Sequence, residues 1–438
     1  MIHVLVTALL LASATSLHAA ERRPNILVMF TDDHGYADLG CQGSKEVQTP
    51  HIDSLAANGV RCTAGYVTAP QCSPSRAALI SGRYQQRFGH EENDNMPVML
   101  MAGGKTMGDQ FKAAGYATGH FGKWHLGYET PERAPKEFVE KGDWMAPTQH
   151  GFDESFGFAN YKSEVPTAKV EHPAEYDDRV FARKTADFIA RHQDQPWCVY
   201  LPFHAPHGLH TRLKEYTSRY ADVPKERQGL YAAMALLDDA VGIVLAKLQE
   251  LNLEENTFIF FIADNGGTRY LGRSPKWQQG SANYPLRGGK GTSLEGGIRL
   301  PYLVQWKGHI PARKTYDRPV ISLDVIPTAL AAAGAKPLPN YDLDGVNLLP
   351  FLKGEKTNDP HDVLFWRWRK EQAVRVGDWK LVTSQDKKSG HPKWALIDLS
   401  SDIKERNDLT AKHPEIAKDL QEKWARLAVG SRIRFPSW

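Results

Sequence analysis

Four short apolar runs in this chain stop at reactive side chains. Ile26–Phe30 ends at Thr31-Asp32-Asp33, and Phe258–Ile262 ends at Asp264-Asn265-Gly266. Cys198–Leu201 leads to His204-Ala205-Pro206-His207, and Ala117–Phe121 leads to Lys123-Trp124-His125. None of the runs alternates with polar residues, which predicts strands buried on both faces of a parallel sheet. Between them the apolar spacing turns helical. Tyr231, Met234, Leu237, Val241, Val244 and Leu248 repeat through 229–251, and Val180, Phe181, Phe188 and Ile189 do so over 178–192. Thr106 is placed to cap a helix carrying Met107, Phe111 and Ala114. Strands alternating with helices predict an α/β sandwich with a mostly parallel central sheet flanked by helices. Ligands of such sheets bind beyond the carboxyl ends of the strands, where these reactive groups would meet.

The polar stretch 354–360 interrupts this pattern. Four β-like runs follow, at 363–368, 372–376, 379–383 and 394–399, and then a helix around 412–428. That order predicts a smaller C-terminal subdomain of antiparallel sheet and one helix. Residues 1–20 carry Val4–Val6 and Leu9–Leu11 and end in Ala19-Ala20, the pattern of a cleaved secretory signal, although no Lys or Arg precedes the apolar run. The expected division is therefore a signal peptide over 1–20, a catalytic domain over 21–355 and an α+β subdomain over 356–438. No later segment approaches the roughly 20 apolar residues that span a bilayer. An exported protein, periplasmic or secreted, is expected. The net charge of +3 gives no reason to expect nucleic acid or a membrane as partner.

Asp32-Asp33 and Asp264-Asn265 offer only oxygen donors, which suit a hard divalent cation, calcium ahead of magnesium. Zinc prefers nitrogen and sulfur and ranks low. Either pair alone reads equally well as turn residues after a strand; two pairs, each closing an apolar strand, favour a metal. The glycine-rich segment around Lys290 lacks the spacing of a nucleotide phosphate loop. Cys72-Ser73-Pro74-Ser75-Arg76 runs into Ala77-Ala78-Leu79-Ile80. This places Cys72 at the start of a helix, where free N–H groups and the helix dipole favour an anion. The plainer reading is a buried or disulfide-bonded cysteine. Cys41, Cys62, Cys72 and Cys198 allow two disulfides by parity; with Cys72 modified at most one remains, and no essential disulfide is expected.

The Cys-x-Pro-Ser-Arg arrangement resembles the signature of type I, formylglycine-dependent sulfatases. Other segments are similar to that family in the same order: Asn25–Val28 with Asp32–Gly35, Thr49–Ala56, Gly122–Gly127, Gly288–Gly297, and Ala373–Arg375 with Asp378–Leu381. The resemblance implies an alkaline-phosphatase-like fold and hydrolysis of sulfate esters. It implies that an activating enzyme (formylglycine-generating or anaerobic sulfatase-maturing) oxidises Cys72 to formylglycine. Asp32, Asp33, Asp264 and Asn265 would then hold calcium beside residue 72. Arg76 and Lys123 would orient the hydrated aldehyde and neutralise the sulfate, and Asp264 would take the attacking hydroxyl's proton. His207 and Lys290 would meet the bridging oxygen, one as general acid, and His125 would deprotonate the second hydroxyl to expel sulfate. His204 and His34 stay outside this catalytic set.

Export and the resemblance together imply a sulfated polysaccharide or oligosaccharide as substrate. Candidate sugar contacts are His90, Glu91, Glu92, Asn93, Arg269, Trp277, Arg287 and the run Trp366–Arg369, in which the tryptophans are expected to pack. Two alternatives stay open: a phosphonate or phosphodiester hydrolase of the same superfamily, and a non-catalytic glycan-binding homologue.

Overall fold

The computed structural model describes residues 22–94, 98–128, 131–158, 178–207, 214–268, 282–385 and 392–430. The expected signal segment, Arg269 and Trp277 lie outside these ranges. Among the described residues, fourteen strands form three sheets. The largest contains β1 (Asn25–Thr31), β2 (Val60–Cys62), β4 (Ala117–Lys123), β5 (Glu154–Phe158), β6 (Trp197–Pro202), β7 (Thr257–Ala263), β8 (Tyr302–Gln305) and β9 (Lys314–Tyr316). Their order is β5-β4-β6-β1-β7-β8-β2-β9. Only β8 runs against its neighbours; every other pairing is parallel. A two-stranded sheet joins β3 (Gly65–Tyr66) to β10 (Val320–Ile321). The third sheet, β11 (Leu364–Trp368), β12 (Glu371–Val376), β13 (Trp379–Gln385) and β14 (Pro392–Asp398), is antiparallel throughout.

The unbroken apolar runs have a direct cause. In β1, Ile26, Val28 and Phe30 enter one core cluster while Leu27 and Met29 enter another on the opposite face. Helices Pro50–Ala57, Asp178–Arg191 and Lys225–Glu250 cover the second face, and Cys72–Ser81, Met107–Ala113 and Val325–Ala332 cover the first. The expected Thr106 cap is present: Thr106 Oγ1 accepts from Asp109 N at 3.1 Å, and Asp109 Oδ2 accepts from Thr106 N at 2.7 Å. Helix Lys225–Glu250 differs from the sequence reading, because over Arg227–Glu250 it is long and apolar enough to cross a membrane. Its apolar side is spent inside the fold, where Leu237, Val241, Val244 and Leu248 are fully buried against the sheet.

The C-terminal sheet is also covered twice. Trp366, Ala373, Val382 and Ile397 pack on Tyr66, Ala78, Ile298 and Ile321 of the larger unit. Val374, Leu381 and Leu396 lie under Ala417 and Leu420 of helix Pro414–Gly430. Trp366 is a packing residue: its Nε1 donates to Val67 O at 2.6 Å. All four cysteines are unpaired.

Candidate active site

Register builds the site. Phe30 of β1 stands level with Pro202 of β6 and Ile262 of β7, so these three neighbouring strands finish together. The chain beyond each end is tied to the next: Asp264 N donates to Thr31 O at 2.9 Å, and Asp32 N to Ala205 O at 3.2 Å. Strand β4, next to β6, adds Lys123 and His125. Asp33 (φ 59°) and His125 (φ 56°) turn in left-handed backbone, which costs a non-glycine residue about 1 kcal/mol or more. Gly122 (φ 132°) allows β4 to lie so close to β6, since a Cβ there would fall 2.0 Å from Pro202 O.

Helix Cys72–Ser81 points its first residue into this convergence, and all ten of its residues are buried. Gln71 gives it no side-chain cap; instead Asn93 Oδ1 accepts from Ser73 N at 3.1 Å, and Asn93 Nδ2 donates to Gln71 Oε1 at 2.7 Å. Ser73 Oγ donates to His125 O at 2.7 Å. His90 Nδ1 accepts from Met99 N at 3.3 Å, which leaves Nε2 to donate to Ser73 Oγ at 2.7 Å.

Around Cys72 three carboxylates meet three cations. Cys72 Sγ lies 3.4 Å from Asp32 Oδ1, 3.8 Å from Asp33 Oδ1 and 3.3 Å from Lys290 Nζ. Lys123 Nζ is 2.5 Å from Asp32, and Lys290 Nζ is 2.7 Å from Asp33. Arg76 is 2.7 Å from Asp264 and 3.5 Å from Asp32. His207 Nε2 approaches Asp33 at 3.5 Å. Asp32, Asp33, Cys72 and His207 bring their ligand atoms within 4.8 Å of one another. Asp264 stands one step back, with Oδ1 taken by Asp33 N at 3.1 Å and Oδ2 by Arg76. Asn265 Nδ2 donates to Asp33 Oδ1 at 2.7 Å, while its buried Oδ1 has no hydrogen-bond partner. An orphaned amide oxygen beside clustered carboxylates fits a hard cation.

Burial dominates the titration of this cluster. It pushes the Cys72 thiol well above its ordinary value, and Asp32 adds to the effect. Burial and Asp32, opposed by Arg76, raise Asp264 to about 7. Burial also opposes the charge on Asp32, but Lys123 and Arg76 keep it ionised. His125 and His207 fall well below the ordinary imidazole range through burial, with Lys123, Lys290 and Arg76 contributing.

The other sequence candidates scatter. His90 is fully buried with both ring nitrogens engaged, which corrects its reading as a sugar contact: it supports the helix start. Asn93 caps that helix beside Cys72, and Glu92 pairs with Arg369 at 2.8 Å on the rim. Arg287 is exposed, and its Nη1 donates to Glu405 O at 2.8 Å. His34 is fully buried and bonds Thr31 Oγ1 at 3.0 Å, away from solvent. Two supports escaped the sequence reading. Asp178 receives His204 N and Ala205 N, each at 2.8 Å, and so sets the loop to His207. Tyr200, buried in β6, lies beside the Arg76 guanidinium, whose charge opposes the rise that burial imposes on its phenol. The available signals were slight: an acidic residue opening a helical pattern, and one hydroxyl inside an apolar run.

Residues 24–335 match the Sulfatase family, and residues 289–429 match the C-terminal region of N-sulphoglucosamine sulphohydrolase. The chain belongs to the sulfatase family, and its reaction is the hydrolysis of sulfate esters. N-acetylgalactosamine-6-sulfatase of Sus scrofa is 33% identical over 407 residues, covering 84% of this chain and 73% of that protein. Arylsulfatase A of Homo sapiens is 34% identical over 410 residues, covering 85% and 77%. Among solved structures, Ps i-CgsB in complex with k-i-k-neocarrahexaose superimposes with a TM-score of 0.79 at 29% identity, covering 94% of each chain.

Proposed function

We propose that this enzyme desulfates a sulfated carbohydrate, using formylglycine made from Cys72 and a divalent cation, calcium ahead of magnesium. One observation carries the reading: at a helix start, Cys72 Sγ sits within 3.4 Å of both a carboxylate and an ammonium group. Asp32, Asp33, Asp264 and Asn265 would hold the cation. When present, the cation and the aldehyde hydrate supply electrophilic assistance and the attacking oxygen.

The chain's own groups do the rest. Arg76 and Lys123 neutralise the anion and fix residue 72. Lys290 and His207, which reach Asp33 from the open side, stabilise or protonate the departing alcohol. His125, with its Nδ1 lacking a hydrogen-bond partner, accepts the proton that allows sulfate to leave. The k-i-k-neocarrahexaose bound by Ps i-CgsB supports a sugar substrate, with Glu92, Asn93, Arg269 and Arg287 as its proposed contacts. The same reading includes export through a signal over 1–20, maturation by a formylglycine-generating or anaerobic enzyme, and a catalytic domain over 21–355 followed by a subdomain over 356–438.

The test is the mass of the peptide containing residue 72, taken from protein co-produced with the maturing enzyme, alongside release of inorganic sulfate. Oxidation lowers the mass by about 18 Da, and sulfate release should track the modified fraction. Turnover dominated by phosphodiesters, or sulfate release from wholly unmodified protein, would refute the proposal.

A further inference from the structure

Lys290 reaches Cys72 and Asp33 from a loop tied on its own side by Thr292 N to Gly289 O at 3.1 Å, Gly296 N to Arg287 O at 2.7 Å and Gly266 N to Gly297 O at 3.0 Å. Its backbone N donates to Gly267 O at 3.2 Å, and Gly291 N donates to Pro70 O at 2.8 Å, just ahead of Cys72. Further bonds run to the C-terminal sheet and to the segment that follows it. Ser293 N donates to Glu371 Oε2 of β12 at 3.1 Å. Glu295 N donates to Glu405 Oε2 at 2.7 Å, and Arg287, at the loop's other end, donates to Glu405 O. Glu405 thus grips both ends of the loop, one through its carboxylate and one through its carbonyl. It does so in left-handed backbone (φ 51°), a conformation that persists only where its surroundings enforce it.

What enforces it is a buried ammonium. Lys380 of β13, fully buried, donates to Glu405 Oε1 at 2.9 Å and to Glu295 Oε1 at 2.8 Å. Glu295 Oε2 accepts from Tyr66 Oη at 2.6 Å and from Arg299 at 3.2 Å. Buried ion pairs add little stability over an apolar core of the same shape; their best attested use is to fix register. Here the directional bonds end on the backbone of the loop that presents Lys290. A Cβ at Gly291 would lie 3.6 Å from the Trp368 ring, so the same sheet also flanks the loop.

We infer that Lys380 and Glu405 are positioning residues, a clasp by which the C-terminal sheet sets Lys290 against residue 72. The inference rests on the role proposed for Lys290 at the leaving oxygen. A sugar alkoxide needs that help, whereas nitrophenolate leaves without it. In matured enzyme, Glu405→Gln should lower kcat on a sulfated galactoside about tenfold or more. The loss on 4-nitrophenyl sulfate should stay within about threefold, as expected when only leaving-group assistance is disturbed. Hydrogen exchange should quicken at amides 287–297 and stay unchanged in β1 and β7. Glu371→Gln, at a partly exposed site, should show the same pattern more weakly and serves if Glu405→Gln does not fold. An equal loss on both esters, or unchanged exchange over 287–297, overturns the clasp. Quickened exchange with a wild type idle on both esters would strike the role of the site and leave the clasp standing.

Discussion

Two buried ion clusters meet the Lys290 loop, and they are finished differently. At the junction with the C-terminal sheet, each oxygen of Glu295 and Glu405 is met by Lys380, Tyr66, Arg299 or a backbone N–H. Arg375 closes the set on Tyr66. Around Cys72 the same kinds of residue, three carboxylates and three cations, leave Asn265 Oδ1 and His125 Nδ1 without hydrogen bonds. Burying such atoms costs about 1–3 kcal/mol each. The first cluster is complete within the chain; the second becomes complete only with something added. A closed network fixes geometry, and an open one receives a ligand.

That contrast can be tested from both sides. Relative to matured wild type, Cys72→Ala, which has no thiol to mature, should lower sulfate release by about four to six orders of magnitude while leaving the denaturant midpoint near wild type; a collapse of the fold would instead make Cys72 a core residue. Next, chelation with EGTA should reduce turnover about a hundredfold, as loss of charge stabilisation at a sulfuryl group would, with calcium restoring more than magnesium. It should also lower the melting temperature. No response of either quantity would remove the cation from the site. At the junction the order of effects reverses. Lys380→Met should cost about 3–5 kcal/mol of stability by stranding two carboxylates, read by urea unfolding, while residual turnover of 4-nitrophenyl sulfate by the folded fraction stays close to wild type.

The last expected effect is a pH dependence, carried first by two rings outside both clusters. Burial lowers His90 to about 3, and burial with Arg76 lowers His120 to about 3. Unfolded, each titrates near 6.5, so between pH 6.5 and 3 the unfolded chain binds protons that the native state does not. The contribution of these rings to stability is therefore full above pH 6.5 and is lost as pH drops, by about 1.4 kcal/mol per pH unit for each ring. Below about pH 4.5 Glu295 joins them: burial opposes its charge, but Lys380, Arg299 and Arg375 hold it at about 2. Replacing His90 and His120 singly with Gln should flatten the slope between pH 6 and 4. An unchanged slope would mean that these rings are protonated in the native state.

Much of the site could be read directly because its chemistry sits at strand ends. An apolar run long enough to cross a sheet, followed at once by Asp32-Asp33 or Asp264-Asn265, carries both the strand and the place its side chains reach. The sugar candidates were less legible. His90 and Asn93 follow the nucleophile helix by the same short interval as a pocket wall would, and sequence distance does not say which way a side chain turns. The junction network was invisible for a related reason. Lys380, Glu405 and Glu295 each look like solvated charges, and only their convergence from separated segments shows them buried.

The amino-acid order by itself determined the alternating elements, the reactive strand ends and the cysteine at a helix start, since each depends on neighbours a few positions away. Tertiary structure decided which carboxylates face Cys72, that His90 supports the helix, and that the C-terminal sheet reaches across to the Lys290 loop. These are contacts between segments tens to hundreds of residues apart. Their pairing depends on strand register and on how the layers dock, and no local pattern of residues encodes either.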